Sequence, residues 1–291
     1  MRTVVGLGEV LWDLYPDARY SGGAPANVAL HAAQLGARAV IASGVGIDEE
    51  GDTLIEAIRR QGGEIQYVQK NFLYGTGHVT VTVNDGIPSF VCSTDTAFDH
   101  LIWNDDLMEL ARSCDAVVYG TLAQRDPDSE ATIQHFLREA DSALKAFDVN
   151  FRGWHDRLEG IIRQTLEHSD IIKMNEEELV HLRQVFHQNS LTDAAFLMWL
   201  SNTYSLKLAA LTLGPAGCIL ATRNHVTEAP GKRVHVVDTT GCGDAFLAGL
   251  VIQTMGNASL EKTARFANAL GALVATRQGA VPEYAVEEIE L

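Results

Sequence analysis

Between Val236 and Leu250 the chain reads VVDTTGCGDAFLAGL, and its centre suits neither a strand nor a helix interior. Two threonines lead into Gly241-Cys242-Gly243; Asp244 follows, and then an unbroken apolar run. A helix opening near Gly243 would present N–H groups without intrahelical partners, at the positive end of its dipole. Glycines there let the backbone approach a ligand closely, which makes the loop an anion cradle. A carboxylate beside such a cradle suits phosphoryl transfer to a hydroxyl. Asp244 would take the proton while the amides hold the charge growing on the phosphoryl group. The same residues also describe an aspartate capping a buried helix, and alone they leave both readings open.

A second polar cluster is YSGGAPANVALHAAQLGA, residues 20–37. Gly22 and Gly23 permit a tight backbone, and Asn27 is expected to open a helix with Val28, Ala32 and Leu35 on one face. Asn27 and glycine backbone groups could grip hydroxyls; a glycine turn with an Asn cap is the plainer alternative. Other phosphate-binding patterns are missing from the sequence. No GxxxxGK[ST] occurs, and GLGEVL has Leu11 where the third glycine of a dinucleotide fingerprint should stand.

The elements that must position these residues alternate. Apolar runs at Val4–Leu7, Ala39–Ala42, Ala116–Tyr119, Lys145–Val149, Ile171–Met174 and Leu208–Leu213 read as strands. Amphipathic stretches such as NVALHAAQLG, DTLIEAIRRQGG and SEATIQHFLREA lie between them. This order predicts an α/β fold, a parallel sheet with helices on both faces. Val79–Val83 and Ser89–Val91 flank NDGIP and are expected to form an antiparallel hairpin or flap added to that sheet. Gln184–Ser201 reads as amphipathic packing. Nothing in the sequence divides it, so one domain with a small β appendage is expected.

At 291 residues, 46% hydrophobic and 21% charged, the chain can bury a large core. A net charge of −16 disfavours nucleic acid and anionic membranes as partners. Four cysteines without a CxxC pair, and ten scattered histidines, give no zinc pattern. No basic leader with a cleavable apolar run opens the sequence, and no stretch nears the roughly 20 apolar residues of a membrane span. A cytoplasmic protein with reduced thiols is expected.

Together, SGGAPANVALHAAQLGARAVIASGVGIDEEGDTL and DTTGCGDAFLAGL resemble the two signatures of the ribokinase-like (PfkB) carbohydrate kinase family, bacterial fructokinases above all. Landmarks between them agree: GE followed by Asp13, DVNFR at 148–152, KMNEEE at 173–178, LTLGPAG at 211–217 and ANALGALVATRQGA at 267–280. The resemblance implies a Rossmann-like, mostly parallel sheet with helices on both faces and a small β lid near 14–22 and 72–98, all within one kinase domain over 1–291. It also implies ATP- and Mg2+-dependent phosphorylation of a sugar hydroxyl, with Asp244 as base and the amides of Gly241, Cys242 and Gly243 as anion hole. Asp13, Gly22, Gly23, Asn27 and Arg152 would face the sugar. Asn175 and Glu178 would organise magnesium and the phosphates, chiefly through water. Thr212, Gly214 and Gly217 match the nucleotide loop, and Asn268 falls beside adenine. Asp238, Thr240, Val274, Arg277 and Gly279 match a site for a monovalent cation such as K+. Related kinases often pair their lids, so a homodimer is implied. One departure is Cys242, where alanine is usual; only its N–H is needed, and whether its thiol can be oxidised is open.

The substrate can be argued further. Relatives acting on sugar phosphates carry a cation in the first glycine motif, where this chain has Ala24-Pro25. Between Asn71 and His100 there is no lysine or arginine to neutralise the carboxylate of an acid sugar, whose burial would be costly. A neutral sugar is therefore expected, D-fructose to fructose 6-phosphate. Arg152, the one nearby cation, keeps ketodeoxygluconate as the alternative. Tyr74, His78, Phe90 and Phe98 are candidate walls. A catalytically inactive sugar-binding regulator is the remaining class, though such a protein would be expected to lose the base or the glycines retained here.

Overall fold

Short β-branched runs bounded by Gly, Asn and Asp become strands, and the amphipathic stretches become helices. The computed structural model describes residues 1–84, 87–153 and 155–289, and their side chains except those of 81–84 and 87–90. The chain begins with β1 (Thr3–Leu7), β2 (Leu11–Leu14), β3 (Arg19–Gly22), α1 (Ala24–Gln34), β4 (Arg38–Gly46), α2 (Glu49–Arg60) and β5 (Gly63–Asn71). It continues with β6 (Gly77–Asn84), β7 (Ile87–Cys92), α3 (Asp105–Ser113), β8 (Ala116–Gly120), α4 (Pro127–Glu139) and β9 (Leu144–Asp148). Then come α5 (Leu158–Leu166), β10 (Ile171–Asn175), α6 (Glu176–Val185), α7 (Asp193–Thr203), β11 (Leu208–Thr212), β12 (Gly217–Ala221) and β13 (Val226–Pro230). Helices α8 (Cys242–Met255) and α9 (Leu260–Ala275) follow.

The large sheet runs β13-β12-β11-β10-β9-β8-β1-β4-β5, parallel from β11 to β5, with β12 and β13 as an antiparallel edge. Its strands bury both faces by simple alternation. Val5, Leu7, Val117 and Tyr119 enter the core under α3–α7, while Val4, Ala116 and Val118 enter the core under α1, α2, α8 and α9. Burying such side chains stabilises the fold by about 1.5–3 kcal/mol each. Helix α8 is buried all round from Ala245 to Val251, which is why its sequence has no polar face.

All six expected strands form; β5, β12 and β13 are additional in the large sheet, and β2 and β3 in the small one. Helix α1 begins at Ala24, with Gly23 as its cap and Pro25 in its first turn, so Asn27 lies inside the helix rather than opening it. Proline's fixed φ suits that first turn. The expected hairpin is β6–β7, with turn residues 85 and 86 outside the described residues. It joins a separate sheet, β3-β2-β6-β7, not the main one. Strand β2 pairs parallel with β6 through Leu11–Gly77 and Leu14–Thr80, and this carries the hairpin away from the large sheet. The stretch 184–201 packs as expected: Phe196, Leu197 and Leu200 of α7 are fully buried. Among the described residues no helix is long and apolar enough to cross a membrane.

Candidate active site

Strands β1, β9, β10 and β11 all end on one edge of the large sheet, delivering Glu9, Asp148, Asn175 and Thr212 to it. In open parallel sheets ligands bind outside these carboxyl ends. Two adjoining cavities there, of about 310 and 540 Å³, are both bordered by Gly243 and Thr239; a third, of about 670 Å³, shares Leu122 and Arg152 with the smaller of them.

The partition between the two adjoining cavities is the start of α8. Gly241 caps the helix with φ +75°, and a Cβ there would stand 2.1 Å from the carbonyl oxygen of Ala280. Only glycine fits both demands. That carbonyl is itself held: His31 Nε2 lies 2.9 Å from it, and His31 Nδ1 lies 3.0 Å from the Tyr284 hydroxyl. Burial lowers the His31 pKa to about 4, so the ring is neutral, donating from Nε2 and accepting at Nδ1. Beyond Gly241, the Cys242 amide donates to the Thr239 carbonyl at 3.3 Å, while the amides of Gly243 and Asp244 come before the first intrahelical acceptor is in register.

Asp244 sits in this first turn, half-buried, and its Oδ2 accepts a hydrogen bond of 2.8 Å from Asn27 Nδ2 of α1. Burial raises its pKa; the Asn27 hydrogen bond, Lys173 and Arg152 pull the other way. Asp244 therefore lines the smaller cavity with Asp13, Asn27 and Arg152, and the backbone of Gly23 and Gly241 borders it too. Gly22 does not line it. A Cβ at Gly22 would stand 2.3 Å from Asp13 Oδ2, so this glycine makes room for the Asp13 carboxylate instead. Burial lifts Asp13 to about 6, with Arg152 opposing and Asp244 adding to the shift. The structure brings Arg152 to the mouth of this cavity, exposed and close to the carboxylates.

Three polar residues here went unassigned in the sequence. Glu9 follows β1 and lines the same cavity. Asn150, with φ +30°, carries the loop to Arg152. Lys173 is a buried lysine whose Nζ lies 3.0 and 3.2 Å from the oxygens of Asp148. Burial disfavours its charge, yet Asp148, Glu178 and Asp244 hold its pKa above the ordinary value, so it stays cationic. A Cβ on Gly243 would come within 3.2 Å of that ammonium, so the glycine leaves space for a cation beneath the α8 turn. The signal was present: a lysine between the apolar residues Ile171, Ile172 and Met174 of β10.

Thr212, Gly214, Gly217, Cys242 and Asn268 line the larger cavity, with Phe246 and Lys232. Asn268 Nδ2 donates to the Pro230 carbonyl at 2.7 Å, which leaves its amide oxygen toward solvent or a ligand. Burial pushes the Cys242 thiol up to about 11, helped by Asp238 and Asp244, so it is a poor nucleophile.

Asn175 and Glu178 border neither cavity. They form a reciprocal cap on α6: the Asn175 amide donates to Glu178 Oε2 at 2.8 Å and the Glu178 amide to Asn175 Oδ1 at 2.9 Å. Burial raises Glu178 to about 7, against the pull of Lys173. The residues of the expected cation site do cluster. Asp238 accepts from the amides of Thr240 and Gly279, each at 2.9 Å, and the amide of Arg277 donates to the Val274 carbonyl at 3.0 Å. Of the candidate walls, Phe98 is fully buried in the core, and Tyr74 stacks on His100 with centroids 3.6 Å apart. His78 does not line the smaller cavity, whose apolar wall includes Leu11, Tyr15, Val79 and Leu122. The Phe90 side chain lies outside those described.

Residues 17–285 match the model of the pfkB family carbohydrate kinases. An uncharacterized sugar kinase of Pyrococcus horikoshii is 31% identical over 296 residues, 95% of this chain and 91% of that one. Its crystal structure in complex with ATP aligns at a TM-score of 0.84 and 28% identity, over 99% of this chain and 96% of that chain. Fructokinase-1 of Oryza sativa subsp. japonica is 31% identical over 312 residues, 98% of this chain and 95% of its own. The ATP-bound fructokinase of Xylella fastidiosa aligns at a TM-score of 0.87 and 26% identity, covering 99% and 96%. With two signatures in order, the sheet order described and matches along nearly all its length, this chain belongs to the pfkB family of carbohydrate kinases, phosphotransferases acting on a sugar hydroxyl.

Proposed function

We propose that the protein transfers the γ-phosphoryl group of ATP to a neutral sugar, D-fructose first, forming fructose 6-phosphate. The observation that carries this reading is Asp244, which lines the smaller cavity from a helix N-terminus, directly after Gly243, whose backbone borders both cavities. The smaller cavity takes the sugar, with Asp13, Gly23 and Asn27 gripping hydroxyls. The larger takes ATP, its nucleoside along Thr212, Gly214, Gly217 and Asn268 and its phosphates toward the amides of Gly241, Cys242 and Gly243.

Asp244 accepts the proton of the sugar 6-hydroxyl as that oxygen bonds to the γ-phosphorus. The bond from phosphorus to the bridging oxygen breaks and ADP leaves. The α8 amides, with the Lys173 ammonium beneath them, offset the charge that moves across the partition. Magnesium, when bound with ATP, neutralises the phosphates. Glu178 fits it only through water, since its Oε2 is engaged by the Asn175 amide and its side chain is buried. The Asp238 loop is proposed for a monovalent cation bound through carbonyls; activity in potassium against tetramethylammonium tests that assignment.

Charge supports a neutral acceptor. Glu9, Asp13 and Asp244 already line the smaller cavity, so an incoming carboxylate or phosphate meets like charge. Arg125, which reaches Cys92 and Ser93 at the end of β7, is committed to Asp99 at 2.7 Å. Arg152 is the observation that favours the second reading, an acid sugar such as ketodeoxygluconate. Exposed Phe72, Leu73, Val91 and Ile102 support pairing of two copies beside the small sheet, which light scattering would test. A cytoplasmic location is proposed with the acceptor.

The test is turnover of fructose, ribose, ketodeoxygluconate and fructose phosphates with ATP and magnesium, for wild type and Asp244→Asn. Fructose should be fastest, and the variant should lose roughly 10²–10⁴-fold in kcat while still binding ATP. A faster acid sugar overturns the substrate, an unaffected variant the base. Sugar binding without turnover by the wild type would favour the regulator.

A further inference from the structure

Glu9 lies in the turn from β1 to β2, only 3% exposed, and its Oε2 has no hydrogen-bond partner among the described residues. Four buried side-chain atoms share that condition; Glu9 Oε2 is the one whose residue lines either cavity of the candidate site. A buried carboxylate oxygen without a donor is unfavourable, so its persistence calls for a donor that arrives. The turn cannot easily carry it elsewhere. Gly23 packs so closely on the Glu9 carbonyl that a Cβ there would be 2.3 Å from its oxygen, which fixes this backbone against the start of α1.

We propose that Glu9 is a specificity-determining residue of the smaller cavity, its Oε2 accepting a hydrogen bond from a sugar hydroxyl other than the one phosphorylated. The proposal rests on the reading of that cavity as the acceptor site. Asp13 on β2, Asp244 on α8 and Glu9 between β1 and β2 then offer acceptors to one cavity, which selects a ligand rich in donors, a polyol, and rejects ligands with an anionic group there. Asp244 serves the reacting hydroxyl; Glu9, on a different element, reads another.

Proton linkage follows. Burial raises Glu9 to about 7; its own amide, Arg152 and the Ala24 amide oppose this in part, and Asp244 reinforces it. Facing it are Asp13 on β2, Cys92 on β7, Arg152 after β9, Lys173 on β10 and Asp244 on α8. A hydroxyl donor favours the ionised carboxylate, so sugar binding below about pH 7 expels the Glu9 proton to solvent.

The experiment is calorimetry of D-fructose and its monodeoxy analogues binding to the full chain without nucleotide, in buffers of different ionisation enthalpy. Wild type should release protons on binding fructose at pH 6 and almost none at pH 8.5. Glu9→Gln, close in shape, should weaken fructose binding about 10- to 100-fold at pH 8 and release fewer protons at pH 6. One deoxy analogue should bind wild type that much more weakly than fructose, yet bind the variant as fructose does. Equal penalties across all analogues in both proteins, or unchanged binding by the variant, overturn the proposal. Proton release is read on wild type and stands even if the variant misfolds: none at pH 6 overturns it too. Failure of wild type to bind any neutral sugar would instead sink the acceptor-site reading.

Discussion

Lys173→Met removes the cation of a buried ion pair whose side chains are 8% and 3% exposed, and leaves Asp148 behind. At 3.0 Å and an effective dielectric of about 20, the pair attracts by roughly 5 kcal/mol. The variant cannot lose much more than the free energy of protonating Asp148, because a buried carboxylate takes a proton instead of staying charged. From an unfolded pKa of about 3.9 that is about 4 kcal/mol at pH 7, falling by about 1.4 kcal/mol per unit to about 1.5 at pH 5. The sign is fixed: a folded-state acid with a raised pKa binds more protons than the unfolded chain, so the variant loses stability as pH rises. Urea unfolding of wild type, Lys173→Met, Asp148→Asn and the double variant at pH 5 and 7 reads these values. The double variant should recover most of the loss, since a neutral amide and a thioether leave no buried charge. A loss independent of pH, or single effects that simply add, would refute the assignment of this pair as ionised and mutually dependent.

Acid should weaken the fold through His31. Its pKa is depressed to about 4 in the folded state, so the unfolded chain takes up the proton first. Stability is full above about pH 6.5 and falls by about 3 kcal/mol on descending to pH 4. His31→Phe should flatten that part of the unfolding profile, and an unchanged profile would place the titration elsewhere. Cys242, held up near 11, should react with iodoacetamide at pH 7.5 roughly 100-fold more slowly than a free thiol. Peptide mass spectrometry checks this, and labelling at the free-thiol rate would refute the raised pKa.

The large sheet was legible because strand and helix periods differ and the runs are long. What escaped has a physical reason in each case. Strand β5, GEIQYVQKN, is an edge strand with polar positions on its open side, so it lacks the apolar density of β1 or β8. Strands β12 and β13 follow a turn that reads equally as a loop. The place of the hairpin depends on β2 pairing with β6, a contact between residues far apart in sequence that no local pattern encodes. In the site, Asn27 and Asp244 could be singled out because polar residues interrupt glycine-rich or apolar context, whereas Asp13 came only from the family resemblance. Glu9 and Lys173 look like single odd residues until the sheet edge brings them beside Asp244. Asn175 and Glu178 form a reciprocal cap at an acidic helix start.

Asp13 and Asp244 belong to different bodies. One rides on the four-stranded sheet, through β2, and the other on α8, wedged against the nine-stranded core. Any tilt of the smaller sheet on its neighbour therefore alters the gap between the group proposed to grip a hydroxyl and the group proposed to deprotonate one. A compound too short to touch both would leave that tilt unconstrained, whatever its chemistry. Molecular reach would then be measured before reactivity, with Asp13 and Asp244 as the two jaws of a caliper.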